Sequence, residues 1–215
     1  MTESATARRL VILISGRGSN MQAIVDAIRH NGWPAEVCAV ITHRANSEGV
    51  QWAEQKGIVT HYINHTEYQS REQFDAVLQE TIDAYAPDYV LLAGFMRVLT
   101  PGFVRHYLGR LINVHPSLLP LFPGLHTHQQ ALEAGVQWHG CTVHFVTPEL
   151  DSGPTIAQGI VPVCTGDDAQ TLAERLLPVE HKVYTEVVRW LVEGRVQCVD
   201  GKEVQVAGVS SRAFI

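Results

Sequence analysis

An asparagine and a histidine, two residues apart, end an apolar segment near the middle of the chain. In RLINVHPSLLP, residues 110–120, Leu111 and Ile112 precede Asn113 and His115. On a strand the two polar side chains would share a face, because alternate side chains point the same way. Asparagine offers a fixed N–H donor, and histidine exchanges a proton near neutral pH. The pair predicts either an active site at a strand end or a structurally hydrogen-bonded surface pair.

A carboxylate in a later turn is the candidate partner of this histidine. Asp151 lies in ELDSGP, residues 149–154, where an aspartate also serves as an ordinary turn former. The functional interpretation places it beside His115, where its charge would favour the protonated imidazole. The loop after His115 is rich in proline, which suggests rigid geometry and one cis X-Pro bond. These prolines are Pro116, Pro120 and Pro123.

A glycine loop, SGRGSN at residues 15–20, follows the first apolar segment. Its glycines let the backbone approach a ligand, and the N–H groups of the helix that follows favour an anion. The dinucleotide fingerprint fails because Met21 stands where its third glycine should be. The loop therefore predicts a phosphate site for a smaller molecule, with an ordinary strand-to-helix turn as the alternative. Ser19 and Gln22 form a capping-box pattern at the start of this helix.

Composition narrows the class of partner. There are 16 lysine and arginine residues against 22 aspartate and glutamate residues, a net charge of −6, which argues against nucleic acid. No apolar stretch approaches the roughly 20 residues of a membrane span. The four dispersed cysteines predict reduced thiols and a cytoplasmic location. Of the eleven histidines, five are candidate metal ligands, but the sequence contains no metal-binding framework, so no metal is expected. They are His115, His126, His128, His139 and His144.

Strand and helix patterns alternate through the first half of the chain. They predict an α/β fold with a doubly wound, mostly parallel, Rossmann-like sheet. The second half predicts two strands around residues 149–154, a helix over 168–193 that Pro178 breaks, and a hairpin turning at Asp200-Gly201. This gives a mixed or antiparallel C-terminal extension on a single domain. The predicted division is a flexible leader at 1–8, one domain at 9–195, and a hairpin and tail at 196–215.

Four segments in matching order carry a family resemblance. They are the Gly-x-Gly-Ser-Asn loop, LLAGFMRVLTPGFV at 91–104, LINVHPSLLPLFPGLHTHQQAL at 111–132 and HGCTVHFVTPELDSGPTI at 139–156. Together they resemble the glycinamide ribonucleotide formyltransferases over about residues 9–195. The Asn-x-His-Pro-Ser-Leu-Leu-Pro and Asp-x-Gly-Pro pieces are typical of the wider formyl-transfer fold.

The resemblance implies an enzyme of purine biosynthesis. It would transfer the formyl group of 10-formyltetrahydrofolate, its co-substrate, to the amine of 5-phosphoribosylglycinamide. Asn113 and protonated His115 would stabilise the developing oxyanion, Asp151 would assist proton transfer, and His144 would support them. Glu180 would bind the ribose. The phosphate would bind Gly18, Ser19 and Asn20. The folate would contact Arg71, Met96, Arg97, Val98, Leu99, Asn113, Val146 and Asp151. Its pterin ring would lie near Leu92, Val98, Leu111 and Val146, and residues 147–151 would close over the ring.

Two departures and three alternatives accompany this interpretation. The segment Leu177-Pro178-Val179 is apolar where relatives often offer polar groups, and Arg17 is unusual between the loop glycines. Two alternatives are enzymes: methionyl-tRNA formyltransferase, which normally has a further C-terminal domain, and formyltetrahydrofolate hydrolase, which normally has a regulatory N-terminal domain. The third alternative is a non-catalytic folate- or nucleotide-binding protein. A homodimer is a base-rate expectation, because isologous dimers are the commonest assembly.

Overall fold

The structure is a computed structural model in which residues 6–215 are described. The first five residues of the predicted leader lie outside the described residues. The chain divides into two compact units, one ending at Ile112 and the other beginning at Asn113. The predicted α/β class, a mostly parallel sheet with an antiparallel C-terminal part, is confirmed. The predicted domain boundaries stay predictions.

The first unit is a parallel sheet with helices between its strands. Strand β1 lies centrally, paired with β2 and β4, and β2 pairs with β3, all parallel. Residues 10–14 of β1 are fully buried, as expected for a strand that is covered on both faces. The elements are β1 (Arg8–Ile14), α1 (Ser19–Asn31), β2 (Ala35–Thr42), α2 (Glu48–Gln55), β3 (Val59–Tyr62), α3 (Arg71–Asp83), β4 (Tyr89–Leu92), α4 (Pro101–His106) and the start of β5 (Leu111–His115).

The second unit holds the end of β5 and the remaining elements. Strand β6 pairs antiparallel with β7, and the short terminal strand β10 pairs parallel with β7, a pairing that the sequence did not predict. Asp200 and Gly201 both have positive φ in the β8–β9 turn, which confirms the predicted hairpin. The elements are α5 (Thr127–Glu133), β6 (Trp138–Phe145), β7 (Thr155–Pro162), α6 (Ala169–Val192), β8 (Val196–Val199), β9 (Glu203–Val206) and β10 (Ala213–Phe214).

The predicted break at Pro178 is wrong, because α6 runs without interruption through this residue. A proline inside a helix costs about 3 kcal/mol through a lost hydrogen bond and a steric clash. Leu176 and Val183, on either side of it, are fully buried where α6 packs on β6 and β7. Burial of each such side chain contributes about 1.5–3 kcal/mol, which offsets the cost of the proline.

The predicted capping box of α1 is also wrong, whereas α3 begins with a side-chain cap. Gly18, with φ +66°, is the N-cap of α1 and provides no side chain, and Gln22 donates instead to the carbonyl of Arg17 at 2.9 Å. At α3, Ser70 Oγ accepts from the N–H of Gln73 at 3.3 Å. A side-chain cap needs an extended N-cap residue, and a left-handed glycine does not provide one.

Among residues 6–215, no helix combines the length and the apolar character that crossing a membrane would require.

Candidate active site

Asn113 and His144 are hydrogen-bonded neighbours in the second unit. Asn113 Nδ2 lies 3.4 Å from His144 Nε2, and His144 Nδ1 lies 2.9 Å from the carbonyl oxygen of Phe145. A carbonyl only accepts, so His144 carries its proton on Nδ1 and presents an unprotonated Nε2 to the amide. Burial lowers the pKa of His144, which keeps the ring neutral. His144 therefore accepts one N–H of the Asn113 side-chain amide and so fixes its orientation. The second N–H of this amide is available to a ligand.

His115, at the end of β5, lies between two oxygen acceptors. Its Nε2 is 3.0 Å from the carbonyl oxygen of Phe122, and its Nδ1 is 3.5 Å from Asp151 Oδ2. The residue is only 5% exposed, so water contributes little to either nitrogen. A neutral imidazole can donate from one nitrogen only, whereas an imidazolium donates from both. Both ring nitrogens of His115 face oxygen atoms.

Asp151 is held in place from its backbone and from its carboxylate. Its φ is +49°, a left-handed conformation that aspartate and asparagine tolerate better than most residues. Oδ2 accepts from the N–H of Gly124 at 2.8 Å and is the same atom that faces His115. Two predicted catalytic residues, distant in sequence, thus face each other in the second unit.

A buried hydrogen-bond network holds the proline loop after His115. Thr142 Oγ1 donates to the carbonyl of Ser117 at 2.7 Å and accepts from the N–H of Leu119 at 3.0 Å. Ser117 Oγ donates to the carbonyl of Leu121 at 2.6 Å. The Leu119–Pro120 bond is cis, as the proline-rich sequence suggested. The sequence did not single out Thr142 or Ser117, because their role depends on contacts between strand β6 and the loop.

In the first unit, the glycine loop meets the start of α1. The N–H of Gly49 donates to the carbonyl of Gly16 at 3.2 Å, and Ser47 Oγ donates to the same carbonyl at 2.7 Å. A Cβ added at Gly18 would lie 3.0 Å from Met21 Cε. Ser19 and Asn20 are the first residues of α1, and the N-terminal end of a helix favours negative charge. The role of this loop as the phosphate site stays a prediction.

The predicted folate-contacting segment of the first unit exposes two large apolar side chains. Met96 is 65% exposed and Val98 is 58% exposed, whereas Arg97 and Leu99 are half-buried. The Arg97 guanidinium lies 4.7 Å from the centre of the Phe74 ring. Exposed apolar groups on an ordered segment are typical of a ligand-binding surface.

The remaining predicted residues stand at separate places in the two units. Arg71 is exposed at the first position of α3, Val146 is half-buried after β6, and Glu180 lies in α6. Burial and, secondarily, the charge of Glu180 raise the pKa of the Cys141 thiol to about 12, which places that carboxylate near β6. The assigned roles of these three residues, the ribose contact of Glu180 included, stay predictions.

Among residues 6–215, no group of three or more histidine, cysteine, aspartate or glutamate side chains is arranged to hold a metal ion. His128 and His139 pair with each other, with His128 Nδ1 at 3.1 Å from His139 Nε2.

Two buried histidines make the fold sensitive to acid. Burial, with smaller effects of neighbouring positive groups, lowers the pKa of His43 to about 4, and the same causes lower that of His139 to about 4. The neighbours are His65, Arg97 and Arg44 for His43, and His128 and His115 for His139. Below the ordinary value of about 6.5 the unfolded chain binds protons that the folded chain cannot. The contribution of these two histidines to the free energy of unfolding is therefore complete above pH 6.5 and is lost as the pH falls towards 4.

We expect the free energy of unfolding to fall by on the order of 1–2 kcal/mol per histidine between pH 7.5 and pH 5. Urea denaturation at both pH values measures this change. The double variant His43→Gln/His139→Gln, which cannot be protonated at these positions, should show a clearly smaller difference. An equal difference in the variant would assign the acid sensitivity to other groups.

The sequence and the fold of this chain are similar to those of known formyl transferases. Residues 8–188 match the family described as Formyl transferase. Phosphoribosylglycinamide formyltransferase of Escherichia coli (strain K12) is 52% identical over 188 residues, which cover 87% of this chain and 89% of that protein. The structure of phosphoribosylglycinamide formyltransferase from Coxiella burnetii, in complex with CHES, superposes with a TM-score of 0.90 at 45% identity, covering 97% of this chain and all of that one. Glycinamide ribonucleotide transformylase 1 from Symbiobacterium toebii gives a TM-score of 0.91 at 42% identity, covering 96% and 97%.

Proposed function

The chain belongs to the formyl transferase family. From this premise we propose that it transfers the formyl group of 10-formyltetrahydrofolate to the amine of 5-phosphoribosylglycinamide, which is a step of purine biosynthesis. The observation that carries this proposal is the buried pair of His115 and Asp151 at the end of β5, where Asn113 is already oriented by His144. A protein that only binds folate or nucleotide does not need this combination of a buried imidazole, a carboxylate facing it and a fixed amide.

The reaction requires one carbon–nitrogen bond to form and one to break. The amine nitrogen of the ribonucleotide attacks the formyl carbon, and negative charge develops on the formyl oxygen. The N–H of Asn113 that His144 does not occupy donates to this oxygen, a stabilisation often worth 10²–10³-fold in rate per donor. When the bond to N10 of the folate breaks, the proton lost by the amine ends on N10. The products are the N-formyl ribonucleotide and tetrahydrofolate.

His115 and Asp151 supply charge and a proton route in this scheme. The imidazolium places a positive charge near the developing oxyanion, and the Asp151 carboxylate stabilises that cation. The formyl oxygen would compete with the carbonyl of Phe122 for the Nε2–H of His115, since both are acceptors. Asp151 can accept the proton from the amine through water and return it to N10.

Formyl loss from 10-formyltetrahydrofolate tests the proposal directly. We expect release that depends on 5-phosphoribosylglycinamide and is stoichiometric with the N-formyl product. Release without the amine would indicate a formyltetrahydrofolate hydrolase instead. Formylation of methionyl-tRNA in place of the ribonucleotide would indicate the tRNA enzyme, and folate binding with no release would indicate a binding protein.

We expect Gly18→Ala to raise KM for 5-phosphoribosylglycinamide about tenfold and to leave KM for the folate within about twofold. The added Cβ strains a left-handed residue and contacts Met21, which moves the N–H groups that would hold the phosphate. Steady-state kinetics with each substrate varied measures the effect. Gly32→Ala is the matched control, since Gly32 has φ +62° at the other end of α1 and open space around it. An equal rise in both KM values would contradict a dedicated phosphate loop.

We also propose a cytoplasmic location and a homodimer. All four cysteines are free, and two of them are exposed, which is typical of a reducing compartment. The dimer follows from the frequency of isologous pairs. Light scattering across a range of protein concentrations measures the assembly state, and a constant monomer mass would contradict the dimer.

A further inference from the structure

Ser15, at the carboxyl end of β1, joins a buried histidine to a backbone amide of the exposed segment 96–98. The N–H of Met96 donates to Ser15 Oγ at 2.7 Å, and Ser15 Oγ lies 2.8 Å from His43 Nε2. His43 Nδ1 in turn lies 3.3 Å from His65 Nδ1. Ser15 and His43 are 3% and 4% exposed, whereas His65 is half-buried. All four residues belong to the first unit.

The direction of the hydrogen bonds follows from the available donors and acceptors. Ser15 Oγ already accepts from Met96, so its own proton needs an acceptor, and among the described residues the structure gives only His43 Nε2. A neutral His43 with its proton on Nδ1 meets this need, and that proton can be shared with His65. A protonated Nε2 would leave the serine hydroxyl with a buried proton and no acceptor, which is costly. The chain runs Met96 N–H to Ser15 O–H to His43.

The packing around His43 favours this neutral state. The ring is in edge-to-face contact with Phe95, with centroids 5.1 Å apart, and with His65 at the same separation. Arg97 and Arg44 add positive charge nearby, which disfavours a second cation. His43 is therefore a neutral acceptor at neutral pH.

The segment that Ser15 holds is also anchored at its far end. The N–H of Thr100 donates to Asp75 Oδ2 at 2.6 Å, and Asp75 is buried in α3. Between these two anchors, the Met96 and Val98 side chains are exposed. Leaving large apolar groups in water while buried polar groups hold the backbone beneath them is a costly arrangement unless a ligand covers the groups.

We propose that Ser15 and His43 are positioning residues for the folate co-substrate, because their hydrogen bonds orient the Met96 peptide and so present the Met96 and Val98 side chains to it. This inference rests on the proposed function, in which residues 96–99 contact the folate. Neither residue touches the reacting atoms. Their effect is on folate affinity, and it acts through the backbone of Met96.

Amide hydrogen exchange of Met96 tests the positioning without any substrate. In the ligand-free, ¹⁵N-labelled protein, His43→Leu removes the acceptor of the serine hydroxyl, and we expect Met96 to exchange about tenfold faster. His43→Gln places an amide oxygen near the position of Nε2 and should restore slow exchange. The N–H of Thr100, held by Asp75, is the internal reference and should not change in either variant.

Kinetics test the consequence for the co-substrate. For His43→Leu we expect KM for 10-formyltetrahydrofolate to rise about 3- to 10-fold, with kcat and KM for the ribonucleotide within about twofold, and His43→Gln should recover most of the loss. Unchanged exchange at Met96 in His43→Leu would overturn the hydrogen-bonded chain. Faster exchange with an unchanged folate KM, or an equal loss in both variants, would overturn the folate role. Absence of formyl transfer by the unsubstituted protein would defeat the proposed function alone, since the exchange measurement needs no turnover.

Discussion

Asp151→Asn is expected to lower kcat for formyl transfer by on the order of 10²–10³-fold, with KM for either substrate changed less than about threefold. The carboxylate faces His115 Nδ1 at 3.5 Å inside a buried site, and its charge favours the imidazolium. An asparagine at this position keeps an acceptor oxygen at the place of Oδ2 but carries no negative charge to favour the imidazolium. The cation beside the developing oxyanion is then lost, while the shape of the site is kept.

The backbone allows this substitution to be interpreted cleanly. Asp151 has φ +49°, and asparagine adopts the left-handed region as readily as aspartate. The amide oxygen of the variant can still accept from the N–H of Gly124. Asp200→Asn is the matched control, because Asp200 has φ +51° in the β8–β9 turn and should leave kcat unchanged.

A double-variant cycle tests whether the two residues act as one unit. Steady-state kcat is measured for Asp151→Asn, His115→Ala and the double variant. Groups that act together are strongly non-additive, so the double variant should lose little more than His115→Ala alone. Multiplicative losses would show that Asp151 serves only as a turn residue.

Gly153→Ala is expected to lower the free energy of unfolding by about 2–3 kcal/mol and to reduce kcat at least about tenfold. A Cβ at Gly153 would lie 1.7 Å from the carbonyl oxygen of Phe145, so this backbone has to move. The same oxygen accepts from His144 Nδ1 at 2.9 Å and thereby fixes the nitrogen that orients Asn113. The glycine is thus required by close packing of backbone, and its replacement disturbs the Asn113 amide, which we propose to be catalytic, through His144.

Urea denaturation and kcat of the variant measure the two effects. Gly102→Ala is the control: Gly102 lies in the first turn of α4, the nearest atom to an added Cβ is Thr100 Oγ1 at 4.0 Å, and alanine is the better helix former. That variant should be as stable as the unsubstituted protein or slightly more so. Full activity and stability in Gly153→Ala would show that the 145–153 backbone adapts freely.

Local sequence patterns were sufficient to predict the main helices and strands. Met21, Ile24, Val25 and Ile28 recur at the helical period of 3.6, and all four side chains are buried on α1. The period of two predicted that Asn113 and His115 share a face of β5, and each now contacts a different member of the same site. Such patterns are readable because they depend on residues close together in the chain.

Where the sequence misled, competing interactions from elsewhere in the fold decided the outcome. Pro178 stays inside α6 because the burial of Leu176 and Val183 outweighs a local penalty. Gly18 caps α1 in place of Ser19, since the turn from β1 takes a left-handed residue there. The pairing of β10 with β7 joins residues far apart in sequence and has no local signature.

Local patterns in the chain were enough to predict the alternation of strands and helices, the strand-end pair of Asn113 and His115, the glycine loop, the aspartate turn and the family resemblance. The hydrogen-bond partners and the orientation of the polar groups depend on the folded chain. The carbonyl of Phe122 and the N–H of Gly124 take part in the His115–Asp151 pair, and every residue carries such groups, so no sequence pattern marks them. His144 and His43 are neutral acceptors while His115 faces two oxygens, because desolvation and the choice of hydrogen-bond partner depend on atoms that only the folded chain brings together.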